Sequence, residues 1–325
     1  MPKELTHWHI ARAVLQQGVP TQVGDIIASN PTVYYFGAIA HDIAFYDLTK
    51  PSQSNIEQLG NQLHGVDGEN TLEPLVEMME RALSQNNPRT QLAFVLGMLT
   101  HFIADSTIHP MVYYMSGNYF AEDLEERNKA VVRHRMLETA IDLWLESKDP
   151  LKHPFDLIHL WREMGEAGRA AFELLVGYYA HQEDKSIRSH CKKAWRNHRL
   201  LQTVFSWSTP RHILALYRHL GHSSLEKYEA LFYPQPLNLA FFDSRLDWLH
   251  PVTGAPHSMT LEELYDQSVQ KVIFLFEQLS FQSQEKWPQL LRELQPLSLD
   301  SGMPFVPVSQ MKYFRTEPIE QRLWL

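Results

Sequence analysis

Side chains able to hold a metal recur at intervals of four in the stretch AFVLGMLTHFIADSTIHP, residues 93–110: His101, Asp105 and His109. Residues four apart on a helix share a face, with about 5–6 Å between Cβ atoms. A helix continuing to His109 would therefore aim two imidazoles and a carboxylate the same way. Its other residues, among them Phe94, Val95, Leu96, Met98, Leu99, Phe102 and Ile103, are apolar nearly all round, which marks a buried helix. Ionisable groups in such a setting are expensive unless they are paired or bind a metal. One HxxxD alone is most simply a core histidine held by an aspartate. A second cluster changes the balance. In VVRHRMLETAIDLWL, His134 and Glu138 repeat the spacing beside an apolar face of Val131, Val132, Met136, Leu137, Ile141 and Leu145. Upstream stand His7 in ELTHWHIARAVL, Asp42 in YYFGAIAHDIAFYD and His64 in GNQLHGVDGEN. Nitrogen and oxygen ligands without cysteine suit zinc in a catalytic role, where an open position holds water.

The elements that must position these groups read as helices. A first helix is expected over residues 5–17, with Thr6 as its N-cap and His7 in its first turn. Trp8 and His9 are packing or surface residues, because neighbouring helix positions do not face one site. A short helix follows at 24–29, and Asn30-Pro31 signals a turn. Residues 34–47 are aromatic and nearly free of charge, with Gly37 allowing close backbone approach and Asp42 emerging from an apolar surface. Residues 51–70 are polar and loop-like, with helical spacing resuming at 60–64 and 72–85. Helices are also expected over 155–181, 186–205, 210–220, 224–232 and 260–280, the last capped by Thr260 or Ser258. No strand-like alternation is long enough to suggest a sheet. The histidines beyond residue 150 (His153, His159, His181, His190, His198, His212, His219, His222, His250 and His257) lack carboxylates at ligand spacing and read as mostly surface. The tail, 296–325, has several prolines and no clear period, as an extended arm would.

Composition narrows the class. With 325 residues, 44% hydrophobic and 21% charged, the chain is an ordinary globular protein with ample length for a core. The formal charge of −9, with no basic run or stripe apparent, argues against nucleic acid as the main partner. Seventeen histidines suggest metal chemistry or pH sensitivity. The lone Cys191 cannot form an internal disulfide and fits a reducing compartment. The N-terminal residues lack the apolar core of a secretory signal, and apolar runs fall short of the ~18–20 residues of a spanning helix. The expected location is cytoplasmic. No basic amphipathic helix stands out as a membrane-binding face, although peripheral membrane contact stays open.

Taken in order, these pieces resemble the bacterial zinc-dependent phospholipase C family, which shares its site with fungal single-strand nucleases. The matching residues are TH at 6–7, G-x-x-x-x-D at 37–42, LH at 63–64, G-x-x-x-HFxxDSxxHP at 97–110 and HxxxE at 134–138. The later LDWLHPVTG…S-x-T-x-x-ELY looks like the end of its leaderless, cytoplasmic branch. The resemblance implies an all-α, multi-helix phospholipase C/nuclease-like bundle with a helical C-terminal extension. The chain is expected to divide into a metal-site core (1–149), a helical half packed on it as one continuous domain (150–295) and an extended tail (296–325). The resemblance further implies up to three zinc ions: one on Asp42, His64, His101 and Asp105, and a second on His109, His134 and Glu138. Asp105 would bridge to a third with His7 and the chain's N-terminal amine, Pro2 once Met1 is removed.

On that reading the protein is a zinc-dependent phosphoester hydrolase in which metal-bound hydroxide attacks phosphorus, with Asp42 and Asp105 as its catalytic carboxylates. Divalent ions outweigh three carboxylates, so the site attracts phosphate despite an acidic surface. Aromatic residues at 34–46 and 113–120 would suit an acyl chain or a stacked base, and the substrate is a phospholipid or a small phosphoester. Two rivals remain. His41-Asp42 forms an HD dipeptide where relatives often have proline before the aspartate, and HD-type phosphohydrolases acting on nucleotides bind metal through such a pair. The other rival is a non-catalytic helical metal-binding or scaffold protein. Oligomeric state is not fixed by the sequence.

Overall fold

The structure, a computed structural model, describes residues 3–49, 56–151, 156–180, 185–220 and 225–323. Among these residues the chain runs through α1 (Glu4–Gln17), α2 (Thr21–Ser29), α3 (Pro31–Gly37), a 3-10 helix (Ala40–Tyr46), α4 (Ile56–His64), α5 (Glu73–Leu83), α6 (Arg89–Ser116) and α7 (Leu124–Lys148). Beyond these lie α8 (Leu157–Tyr179), α9 (Lys185–Phe205), α10 (Ser208–His219) and the one-turn α11 (Glu226–Glu229). A hairpin of β1 (Leu246–Leu249) and β2 (Pro256–Met259), then α12 (Leu261–Ser280), α13 (Trp287–Glu293) and α14 (Glu320–Leu323), complete it. The fold is an all-α bundle. The antiparallel hairpin, which pairs Leu246 with Met259 and Leu249 with Pro256, is a small sheet that the sequence reading missed, because four-residue strands are too short to show alternation.

Helix α6 is the axis of the bundle, and every residue from Leu92 to Tyr113 is buried. It is long and apolar enough to cross a membrane, which a count of apolar runs missed because its histidines and threonines interrupt them. Its most apolar 18-residue window is wholly buried inside the protein. It also continues through Pro110 to Ser116. Proline removes the N–H that would bond Ser106 O, and there the tail packs its Gly302: a Cβ on Gly302 would lie 2.6 Å from Ser106 O. On the opposite flank α3 crosses α6 at backbone distance. A Cβ on Gly97 would lie 2.1 Å from Tyr34 O, and one on Gly37 2.1 Å from Phe94 O. Two facing glycines thus bring the residues that follow α3, including Asp42, down onto the His101 face.

Helix α1 begins at Glu4, not at a Thr6 cap. No side chain of its own first turn caps it. Instead the Asp142 carboxylate, on α7, accepts the Thr6 N–H (2.8 Å), the Thr6 hydroxyl (2.6 Å) and the Leu5 N–H (3.3 Å). This cap comes from 136 residues away, so local spacing could not reveal it, and it ties the helix bearing His7 to the helix bearing His134 and Glu138. Helix α12 has the expected cap: Thr260 Oγ1 accepts the Glu263 N–H, and the Glu263 carboxylate accepts the Thr260 N–H.

The tail is pinned along its length. Leu299 N–H donates to His64 O (2.9 Å), Val308 N–H to Val66 O (2.8 Å) and Arg315 N–H to Tyr114 O (2.8 Å). Leu299, Ile319 and Leu323 join the same buried core as Trp8 and Phe94.

Candidate metal centre

On α6, His101, Asp105 and His109 form one stripe, all fully buried. Around it the bundle gathers His7 from α1, Asp42 from the 3-10 helix, His64 from the last turn of α4, and His134 and Glu138 from α7. Two groups result, in each of which the potential ligand atoms lie within 4.8 Å of one another: Asp42, His64, His101 and Asp105, and His109, His134 and Glu138. Asp42 Oδ1 lies 3.3 Å from His64 Nε2 and 3.5 Å from His101 Nε2. Asp105 turns Oδ2 toward His101 Nε2 (2.9 Å) and Oδ1 toward His7 Nε2 (3.3 Å), a carboxylate facing two ways. Glu138 Oε1 lies 2.9 Å from His134 Nε2 and 3.6 Å from His109 Nε2. The structure thus brings together all eight residues singled out in the sequence.

The donor set fits a metal. His64, His101 and His109 each donate Nδ1–H to a backbone carbonyl, of Gly60 (2.8 Å), Ala38 (2.8 Å) and Leu299 (2.9 Å). That fixes the tautomer and leaves each Nε2 with its lone pair turned inward, as second-shell bonds do at metal sites. Among the described residues those three Nε2 atoms, both ring nitrogens of His7, Asp42 Oδ1 and both Asp105 oxygens are buried with no hydrogen-bond partner. Buried polar atoms are ordinarily satisfied. Such a concentration of orphaned lone pairs is what a cation would satisfy.

Comparison with known families decides what this centre belongs to. The model of the zinc-dependent phospholipase C family matches residues 6–209, which carry the whole of both groups. The chain belongs to that family. No curated protein and no solved structure matches the chain. Membership makes it a hydrolase of a zinc-dependent family, and the two buried clusters agree with zinc as the cofactor.

The site also has an electrostatic signature. Burial and the neighbouring His101 push the His7 ring down to about 3. Burial acts to lower His101 as well, but Asp105 and Asp42 outweigh it and hold that ring up at about 9. Burial alone would raise Asp105; His101, His109 and His7 keep it well below the usual carboxylate range. A proton and a metal compete for the same His101 lone pair, so zinc would displace the proton and take over as the counter-charge.

The two groups open on a cavity of about 690 Å³. Asp42, His64, His134, Glu138 and Asp300 line its polar part, and Phe45, Leu201, Val204, Phe205 and Phe232 its apolar part. Of the aromatic residues noted in the sequence, Phe45, Tyr46, Tyr113, Tyr119 and Phe120 line this cavity. Tyr34 and Phe36 lie in the core instead, Tyr34 bonded to Thr100.

Several residues escaped the sequence reading. Asp300, in the tail, lines the cavity with Oδ1 3.4 Å from His109 Nδ1, and it hydrogen-bonds Tyr113. Nothing periodic surrounds it in the sequence to betray that position. His41 joins neither group; its ring stacks on His101 with centroids 4.5 Å apart. Both its ring nitrogens are buried with no hydrogen-bond partner among the described residues, yet neither belongs to the ligand atoms that converge in the two groups. His198, expected at the surface, is fully buried with Nε2 2.7 Å from Glu4 Oε1. The signal was present: Cys191, Trp195, His198, Gln202 and Phe205 recur at helical spacing and form the buried stripe of α9. His190 pairs with Asp47 at 2.8 Å, while His159, His212 and His219 are exposed. Pro2, His153, His181 and His222 lie outside the described residues.

Proposed function

We propose that the protein is a zinc-dependent phosphodiester hydrolase whose substrate carries an apolar portion, a phospholipid being the leading case. The observation that carries this reading is one cavity lined both by convergent, buried imidazoles and carboxylates and by aromatic and aliphatic side chains. Asp42, His64, His101 and Asp105 would hold one ion, His109, His134 and Glu138 a second, and His7 with the outer oxygen of Asp105 a third. When bound, zinc supplies Lewis acidity toward a phosphoryl oxygen and brings the pKa of a coordinated water to roughly 7.

The chain's own residues divide the remaining work. The carbonyls of Gly60, Ala38 and Leu299 hold three imidazoles in the ligating tautomer, so little reorganisation accompanies binding. Asp105 turns one oxygen toward His101 and the other toward His7, so it would serve as a ligand on both sides. Asp42 borders the cavity, where its carboxylate can accept a hydrogen bond from an attacking water and orient it. Phe45, Phe205 and Phe232 exclude water around the apolar part of the substrate. The three carboxylates carry less charge than the divalent ions they would hold, so the pocket draws in a phosphate although the whole chain is acidic.

The test is hydrolysis of a water-soluble chromogenic phosphodiester before and after exhaustive chelation. We expect activity to vanish on chelation and return with zinc, and His101→Ala and Asp105→Asn to abolish it while circular dichroism stays helical. Full activity in the chelated protein would overturn the reading.

A further inference from the structure

Helix α10 lies at the surface of the bundle: none of its twelve residues is buried. Ile213, Leu216, Tyr217 and Leu220 recur at i, i+3, i+4 and i+7, one stripe of a helix. Their fractional exposures are 51%, 60%, 48% and 68%, and Trp207, just before the helix, is 55% exposed. Single exposed apolar residues are ordinary, whereas a contiguous set marks an interaction surface. Leu214, on the same helix, lines the substrate cavity, as does Tyr228 in α11, so the stripe lies at the edge of the site.

Charge identifies the occupant. Residues 185–220 hold eight of the chain's 29 Lys and Arg residues and none of its 38 Asp and Glu residues. The overall charge of −9 concealed this stretch, in which the cations are too widely spaced to read as a run. Acids from outside it answer some of them: Glu173 faces Arg188 and Lys192, and Glu229 faces Arg211 and Arg218, fastening α10 to α11. Lys193 and Arg196 are exposed with no acidic partner among the described residues. Helical spacing puts both on one stripe of α9 with the exposed Leu200. Aliphatic side chains and an interfacial tryptophan, set among cations, match the headgroup and acyl boundary of an anionic bilayer. A second copy would bring like charge against like. A helix of twelve residues, about 18 Å long, also offers little of the ~800 Å² per partner that a stable dimer needs.

We propose that α10, with Trp207 and the Lys193–Arg196 stripe, is the surface by which this protein settles on an anionic lipid membrane. The proposal rests on the hydrolase reading only for its purpose, since a lipid substrate would be met at that surface. Docking there sets the cavity edge at the lipid boundary, so a lipid needs to travel only a short way from bilayer to site.

The experiment is co-sedimentation of the zinc-loaded protein with vesicles of phosphatidylcholine, alone or mixed with phosphatidylglycerol. The same preparations are assayed on the soluble chromogenic phosphodiester. We expect binding to the mixed vesicles. The triple variant Ile213→Ser, Leu216→Ser, Leu220→Ser should lose at least tenfold in vesicle affinity with unchanged soluble activity and helicity. Lys193→Gln with Arg196→Gln should weaken binding by roughly fivefold per charge, and only on the anionic vesicles. A triple variant that binds like the wild type, or a wild type that ignores vesicles, overturns the proposal. So does a wild-type dimer that the triple variant dissolves, because a second copy would then cover the stripe. Vesicle binding that needs the stripe, in a protein inactive on every phosphodiester, would sink the hydrolase reading and leave the docking surface standing.

Discussion

Replacing Asp142 by alanine should destabilise the protein more in mild acid than at neutral pH, the reverse of the usual behaviour of a buried carboxylate in an ion pair. Asp142 is fully buried and caps α1 from α7, accepting from Leu5, Thr6 and the Tyr233 hydroxyl. Burial pushes its carboxyl from an ordinary 3.8 up to about 6, against the pull of Lys3 and Thr6. The folded chain therefore binds this proton more tightly than the unfolded chain does. The resulting stability is fully present below about pH 4 and is lost as pH rises through 6. At 1.36 kcal/mol per tenfold difference in proton affinity, the swing is roughly 3 kcal/mol. Asp142→Ala removes the swing together with the hydrogen bonds, each worth about 1 kcal/mol or more. Urea unfolding of wild type and variant at several pH values between 4 and 8 follows it, because titrations of groups that do not interact with Asp142 cancel in the difference. A destabilisation that grows by up to about 3 kcal/mol from pH 8 to pH 4 is expected. A difference independent of pH, or one that shrinks in acid, would refute the reasoning.

Two further outcomes follow from the packing around the site. Gly97→Ala would set a Cβ against the Tyr34 carbonyl and the Ala38 N–H, backbone atoms that cannot step aside. Thermal or denaturant unfolding should show a loss of about 3 kcal/mol or more, whereas a neutral substitution would mean that α3 and α6 are not in backbone contact. Asp300→Asn keeps the size of a side chain that stands beside His109 and Tyr113, so the fold should survive. Outer partners of metal ligands typically carry 10- to 100-fold in activity or metal affinity, and steady-state kinetics with zinc titration should find a loss in that range. Unchanged kinetics would reduce the tail to a structural strap.

Within α6 the chemistry was legible from one periodicity, because His101, Asp105 and His109 need only a helix to share a face. His134 and Glu138 were legible for the same reason. His7, Asp42 and His64 each come from a different element, and only the order of several short motifs tied them to the others. What stayed hidden depends on contacts across the chain. Asp300 reaches the cavity through a tail held by Leu299 and Val308, and Asp142 caps a helix 136 residues away. Neither leaves a local pattern. His198 differs, since the inward stripe of α9 had the right spacing and was obscured by the arginines and lysines on its other faces. Pro110 does not end α6: its missing hydrogen bond falls where Gly302 packs, so the helix carries on to Ser116.

Whether these buried imidazoles and carboxylates gather round divalent cations can be read from the anomalous scattering of a crystal grown with zinc and measured on both sides of the zinc absorption edge. At least one ion is expected in each of the two groups, with Asp42, His64, His101 and Asp105 about one and His109, His134 and Glu138 about the other. Zinc confined to exposed histidines such as His159 or His212, with both buried groups free of anomalous signal, would contradict it.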